Sequence, residues 1–184
     1  VIVAAAAFLR AEPVASFTLD AVAKAAGLTR LTLYNQFGSR RALLKAVFDR
    51  LALEGGLKDL PQAVISGPPR EALRTIIGVF CDFWGGDPAV SRLNEAIALD
   101  PDLDRELAAR NELRRSMLDA VIGRMDLSGA PHGVRAQTVD LLFAMTSYTF
   151  YRQLKNGPAG ADPKRLISET AEAEVERMLA ARAG

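Results

Sequence analysis

Apolar side chains recur along the chain every three or four residues, and runs of strict apolar–polar alternation are scarce. That periodicity predicts amphipathic helices rather than strands. Gly and Pro supply the punctuation, because one loosens the backbone and the other removes a hydrogen-bond donor. It falls at Glu12-Pro13, Gly27, Gly38, Gly55-Gly56, Gly67-Pro68-Pro69, Gly85 to Pro88, Asp100-Pro101, Ser128 to Gly133 and Asn156 to Pro163. Cutting there leaves an all-α chain of about nine helices. The segments before Gly38 are short. Later ones are long: Arg70–Trp84, Pro101–Met125, Val134–Lys155 and Pro163–Arg182. The plan is an N-terminal three-helix head over residues 1–50, followed by a larger helical body over 51–184.

Within the head, Thr18 precedes a helical stripe of Leu19, Val22, Ala23 and Ala26 and can cap it through its hydroxyl. Gly27 permits the left-handed turn that ends this helix, and Leu28 is expected to plug the corner. Thr29 can cap a second, very short helix whose Leu33 and Phe37 point inward. Arg30, Leu31, Thr32, Tyr34, Asn35 and Gln36 are left facing outward. Arg, Asn and Gln can bond base edges in a DNA major groove, and Thr and Tyr can bond phosphates. Helix, glycine turn and helix over residues 18–37 make a helix-turn-helix, whose second helix enters that groove. Ser39 caps a further helix with Leu43, Leu44, Val47, Phe48 and Leu51 on its inner side. Arg40 and Arg41 stand at its start, where a phosphate would approach exposed amides. The competing reading is an ordinary helical bundle with a solvated polar face.

The strings Phe17-Thr18-Leu19, Val22-Ala23, Ala26-Gly27-Leu28-Thr29, Thr32-Leu33-Tyr34, Phe37 and Ser39 with Ala42-Leu43-Leu44 resemble the DNA-binding domain of TetR-family transcriptional regulators. The resemblance is strong over about a fifth of the chain. It implies that Thr18 is a phosphate-binding cap and that Thr29, Arg30, Leu31 and Thr32 form the leading end of the recognition helix. It implies further that Tyr34 contacts phosphate, that Asn35 and Gln36 reach bases or backbone, and that Arg40 stands where a phosphate-gripping lysine is common. Leu31 departs from the family's small residue, and either touches a thymine methyl or alters the docking angle. Arg41 replaces a frequent acidic residue.

In the body, Leu73, Ile76, Ile77, Phe80, Phe83 and Trp84 share one stripe, and Leu103, Leu107, Met117 or Leu118, Val121 and Met125 share another. Both read as core, although the aromatic group of Phe80, Phe83 and Trp84 can also wall a cavity. Val134–Lys155 is apolar on two sides: Val139, Phe143, Thr146, Phe150 and Leu154 on one, Leu141, Met145, Tyr148 and Arg152 on the other, with Tyr151 between. Such a helix is buried on both sides. One side faces the core or a cavity and the other meets a second subunit. The final helix adds Ile167, Ala171, Val175 and Met178. Two helices from each of two chains would make a four-helix interface. The TetR resemblance implies that homodimer, formed through the last two long helices. Candidate pocket residues are Phe80, Phe83, Trp84, Phe143, Ser147, Tyr148 and Tyr151, suited to a small, mainly apolar or aromatic effector. The expected function is an effector-released repressor of operator DNA, with activation left open. The alternative is a helical small-molecule-binding or interaction module that no longer binds DNA.

Composition narrows the classes. At 49% hydrophobic and 24% charged, the 184 residues can form a core and do not match a disordered chain. Net charge is only +1, so a nucleic-acid surface must be local. Phe17 to Arg50 holds six basic residues against two acidic ones, which concentrates positive charge in the head. One Cys and one His argue against a metal centre or a disulfide framework, and no cofactor is expected. Cys81 reads as a buried thiol and His132 as solvated. Arg105, Arg110, Arg114 and Arg115 alternate with Asp104, Glu106 and Glu112 and read as a solvated helix face. Phosphate-loop, Gly-x-Ser-x-Gly and His-Glu-x-x-His motifs are absent, so no enzymatic activity is expected. No apolar run reaches the ~18 residues of a membrane span, and the opening VIVAAAAFL lacks a basic leader, so a cytoplasmic location is expected. The first residue is Val1 rather than Met, which leaves room for a basic arm outside these residues.

Overall fold

A computed structural model describes residues 1–126 and 131–180. Among them are eleven α-helices and no strand. They are α1 (Ile2–Ala11), α2 (Leu19–Ala25), α3 (Arg30–Phe37), α4 (Arg40–Glu54), α5 (Leu60–Ile65), α6 (Pro69–Gly86), α7 (Pro88–Leu99), α8 (Pro101–Ile122), α9 (Val134–Met145), α10 (Tyr148–Lys155) and α11 (Pro163–Ala180). The all-α expectation holds, but the count of about nine is too low. Gly and Pro are not the only breakers. The expected single helix over Val134–Lys155 is two, because Thr146 Oγ1 donates back to Leu142 O at 2.8 Å and Ser147 turns extended to cap α10. Ser147 Oγ accepts from Phe150 N at 3.2 Å while donating to Ala144 O at 2.7 Å. Short hydroxyl side chains thus compete for the backbone and end a helix without any special φ. The short α5 sits between turns at Gly56 and Gly67. The expected end of the last helix, Arg182, lies outside the described residues.

The chain divides into two compact units, one of residues 1–55 with 83–109, the other of 56–82 with 110–184. In the first, Ala5, Ala6 and Leu9 of α1 are buried, and small side chains let α1 pack closely on α4 and α7. Leu43, Leu44, Val47, Phe48 and Leu51 form the buried side of α4, as the pattern predicts. Charge ties the edges. Arg10 donates to both oxygens of Asp87, at 2.7 Å for the closest, and Asp87 also caps α7 by accepting from Ala89 N at 2.8 Å. Replacing Asp87 by Ala removes a cap and a charge-assisted pair together. A loss of about 1–2 kcal/mol in urea unfolding is expected, and Asp87→Asn, which keeps the capping oxygen, should lose less. Equal losses would show that the cap is immaterial.

In the second unit, α9 and α10 pack on α11. Ile76 and Ile77, Leu118, Val121 and Ile122, Val139 and Leu142, and Ile167, Ala171, Val175 and Met178 are buried there. Arg74 pairs with Glu172 at 2.5 Å and Lys164 with Asp82 at 2.7 Å, which pins α6 to α11 at the surface. Such exposed pairs add little individually. No helix among the described residues is long and apolar enough to cross a membrane.

Candidate nucleic-acid interface

The helix-turn-helix is built from local chemistry. Thr18 Oγ1 accepts from Ala21 N at 3.1 Å and starts α2. At its end, Gly27 N donates to Lys24 O at 3.2 Å and Leu28 N to Ala23 O at 2.9 Å, with Gly27 at φ +68. This pair of bonds is the glycine-terminated Schellman arrangement, and a side chain at Gly27 would be strained. Thr29 Oγ1 then accepts from Thr32 N at 3.1 Å and starts α3. Gly38, at φ +74, ends α3, and Ser39 Oγ accepts from Ala42 N at 3.1 Å to start α4. Each capping hydroxyl accepts with a lone pair and keeps its own proton, so Thr18 can still donate to a phosphate. Thr29 and Thr32 also share a 2.9 Å hydroxyl contact.

Leu33 anchors α3 with no exposed surface, and Phe37 is half-buried. Thr29, Arg30, Leu31, Thr32, Tyr34, Asn35 and Gln36 are all exposed. Leu31 is 66% and Tyr34 56% exposed, which is unusual for large apolar or aromatic side chains on so short a helix. Arg30 Nη1 reaches Asp20 Oδ2 at 3.1 Å. Both side chains are well exposed, so this pair is weak and Arg30 can exchange it for a phosphate.

Leu28 departs from expectation, and Arg40 and Arg41 have partners within the chain that the local sequence does not show. Leu28 does not plug the corner: it is 41% exposed, because the Schellman turn closes on backbone bonds alone and needs no apolar plug. Arg40 is only partly exposed. Its Nε donates to Phe17 O at 2.7 Å and its Nη2 to Val14 O at 3.2 Å, with the guanidinium 5.9 Å over the Phe17 ring. That side chain locks the connection between α1 and α2. Arg41 bridges Asp100 at 3.2 Å and Asp102 at 2.9 Å. The extra cation at position 41 is therefore matched by acids from the start of α8, a pairing that no local pattern reveals.

The candidate pocket residues fall in both units. Phe83 and Trp84 are buried in the first, where Phe83 lies edge-on to Phe48 at 5.8 Å and 4.9 Å from Trp84. Phe80 and Tyr151 are buried in the second, and Phe143, Ser147 and Tyr148 are half-buried there. The Ser147 hydroxyl is occupied by its cap and its bond to Ala144. Cys81 is buried, and burial, with Asp82 adding to it, pushes its thiol up to about 11, which keeps it protonated and inert at neutral pH.

One residue was misread from sequence. Arg114 does not belong to a solvated face: it is 4% exposed. Its position gives the signal, since it lies seven residues after the buried Leu107 and three and four before the buried Met117 and Leu118. An arginine on the apolar stripe of an amphipathic helix must be buried when that stripe is.

Comparison with known proteins agrees with this geometry. Residues 1–47 match the family described as bacterial regulatory proteins, tetR family. The chain is similar to the HTH-type transcriptional regulator EthR of Mycobacterium tuberculosis, at 32% identity over 90 residues that cover 48% of this chain and 42% of that regulator. It is similar to EthR of Mycolicibacterium smegmatis at 33% over 97 residues, covering 51% and 44%. The matched stretch thus spans less than half the length of these curated relatives. The fold of the chain is similar to that of the TetR-family regulator PfmR from Thermus thermophilus, with a TM-score of 0.67 at 19% identity over 95% of this chain and 96% of that one. It is also similar to that of NalD, a repressor from Pseudomonas aeruginosa, with a TM-score of 0.63 at 19% identity over 98% and 93%. Residues 1–47 thus match the model of the tetR family of bacterial regulatory proteins, and the fold of the chain is similar to that of PfmR and NalD.

Proposed function

We propose that this protein is a cytoplasmic transcriptional regulator rather than an enzyme, a repressor that binds double-stranded operator DNA as a homodimer and is released by a small-molecule effector. The carrying observation is α3, a helix held by one fully buried leucine whose other faces expose Thr29, Arg30, Leu31, Thr32, Tyr34, Asn35 and Gln36. A polar helix exposed on nearly every side, preceded by a hydroxyl cap and a glycine turn, is what a major groove accepts. Residues 1–50 serve as the DNA-binding head and 51–184 as the effector-binding and dimerisation body. The homodimer is assigned to the segments Val134–Lys155 and Pro163–Ala180; Leu141, 42% exposed on α9, leaves apolar surface there for a partner. Two heads would meet half-sites about 34–36 Å apart, or a multiple of that spacing. An effector lowers operator affinity only by its differential affinity for the two states of the protein.

Selection from a random duplex library followed by titration of the enriched site tests the head. Tyr34→Phe removes one hydroxyl from an exposed side chain and should weaken binding about ten- to a hundredfold, the value of one hydrogen bond to a charged phosphate. The salt dependence of binding should be unchanged, because a neutral donor releases no counterion. Arg40→Ala is the poorer probe, since Arg40 already holds the carbonyls of Val14 and Phe17. Failure to enrich any site would favour the alternative, a helical module that no longer reads DNA, whereas full affinity in Tyr34→Phe would remove the Tyr34 hydroxyl from the contacts that hold the operator.

A further inference from the structure

Arg114 is the most unusual charged group in the second unit. Its guanidinium lies 4.3 Å from the Phe143 ring centroid and 5.6 Å from that of Phe80. Nη1 donates to Thr146 O at 2.6 Å, at the end of α9. Its Nε is buried and makes no hydrogen bond. No acidic side chain among the described residues pairs with it. The neighbouring Arg115, also over Phe143 at 4.2 Å, is paired with Asp140. Burial, with Arg115 adding to it, pushes the Arg114 guanidinium down to about 10, so it still carries its charge at neutral pH. Two aromatic faces and one carbonyl compensate that charge in part, and the Nε edge remains unsatisfied.

We infer that Arg114 is the anchor for the carboxylate of a small amphipathic acid, which binds along its Nε edge in the helical body. The free edge of a guanidinium offers two parallel N–H groups, the spacing a carboxylate accepts. One positive charge matches one negative charge. A phosphate ester, carrying nearly two, would leave surplus charge in a largely apolar site. Arg114 is 4% exposed and its Nε is closed to solvent, so the acid must displace packed side chains to reach it; two charge-assisted bonds and relief of the orphaned Nε donor offset that cost. The inference narrows the effector of the proposed regulator to apolar or aromatic monocarboxylic acids, and it rests on the body being an effector-binding domain.

The test uses the full chain without DNA, so its outcome is independent of the head. Decanoate and phenylacetate are titrated calorimetrically against decanamide and phenylacetamide, with decyl phosphate as a further arm. At least one acid should bind about tenfold or more tightly than its amide and should raise the melting temperature. Arg114→Gln should abolish the difference. Equal binding of acid and amide, no acid binding at about millimolar concentration, or a preference that survives Arg114→Gln would overturn the inference. Decyl phosphate binding more tightly than decanoate would overturn the carboxylate assignment. Should Arg114→Gln fail to fold, the acid–amide comparison on the unaltered protein still decides. An Arg114 that merely caps α9 would leave acid and amide equal while operator binding by the head persisted.

Discussion

Phe17→Ala is expected to destabilise the first unit by about 3–5 kcal/mol, the range for removing a fully buried phenylalanine. Phe17 has no exposed surface and lies outside any helix, in the connection between α1 and α2. Its ring meets Phe8 edge-on at 5.9 Å and 75°, and the Arg40 guanidinium lies 5.9 Å over it. Its carbonyl accepts from Arg40 Nε. One residue therefore joins α1, the start of α2 and the start of α4 through a ring and a backbone oxygen. Alanine would leave a cavity among all three and would loosen the stem of Arg40. Phe17→Leu should cost less, because most of the volume is kept. Urea unfolding followed by circular dichroism reads both variants. Because Phe17 and Arg40 touch, Phe17→Ala combined with Arg40→Ala should be non-additive by about 0.5–1 kcal/mol or more. A loss below about 1 kcal/mol for Phe17→Ala would mean that the α1–α2 connection is held by something other than this ring.

The second large effect concerns acid stability. Glu174 of α11 is buried, with its side chain 9% exposed. Thr138 Oγ1 donates to its Oε1 at 3.0 Å, while Arg177 donates from Nε to Oε2 at 2.7 Å and from Nη2 to Oε1 at 2.5 Å. The Arg177 hydrogen bonds chiefly, helped by Thr138 and opposed by burial, hold the Glu174 carboxyl below its ordinary value. The carboxylate's contribution is therefore complete above the unfolded-state pKa and is lost as pH falls through the depressed folded-state pKa. Arg177→Ala leaves a nearly buried carboxylate on one hydroxyl and should cost about 1–3 kcal/mol at neutral pH. The cost falls short of that of a fully buried pair because the Arg177 side chain is 57% exposed. With its main partner gone, burial should dominate at Glu174 and the acid limb should begin at higher pH than in the unaltered protein. Glu172 and Glu176, lowered by Arg74 and Arg70, act with the same sign in both proteins and cancel in the comparison. Urea midpoints measured between about pH 3 and 7 decide the matter. Parallel profiles for the two proteins would show that Arg177 does not control Glu174.

Much of the head was legible because its determinants are local. Thr18, Thr29 and Ser39 each cap a helix three residues ahead, and Gly27 and Gly38 take positive φ where their helices end. A cap needs only its own turn, so residue type and spacing suffice to find it. The same local reasoning failed at Thr146 and Ser147, where two hydroxyl residues broke a helix that contains neither Gly nor Pro at that point. Apolar pattern alone cannot show that break, because the residues on either side continue the same stripe.

What the chain's order determined by itself is the all-α class, the helix-turn-helix and the exposed face of α3, since each follows from periodicity and capping within a few residues. The tertiary structure alone decided what each arginine does. Arg30 stays at the surface beside Asp20, Arg40 is drawn to the carbonyls of Val14 and Phe17, Arg41 is matched by Asp100 and Asp102, and Arg114 is enclosed by two rings without an acid. The reason is range. A helix is specified by neighbours one turn away, whereas a long cationic side chain takes its role from whatever carbonyl, carboxylate or aromatic face the packing brings within reach, from residues tens of positions distant in the chain.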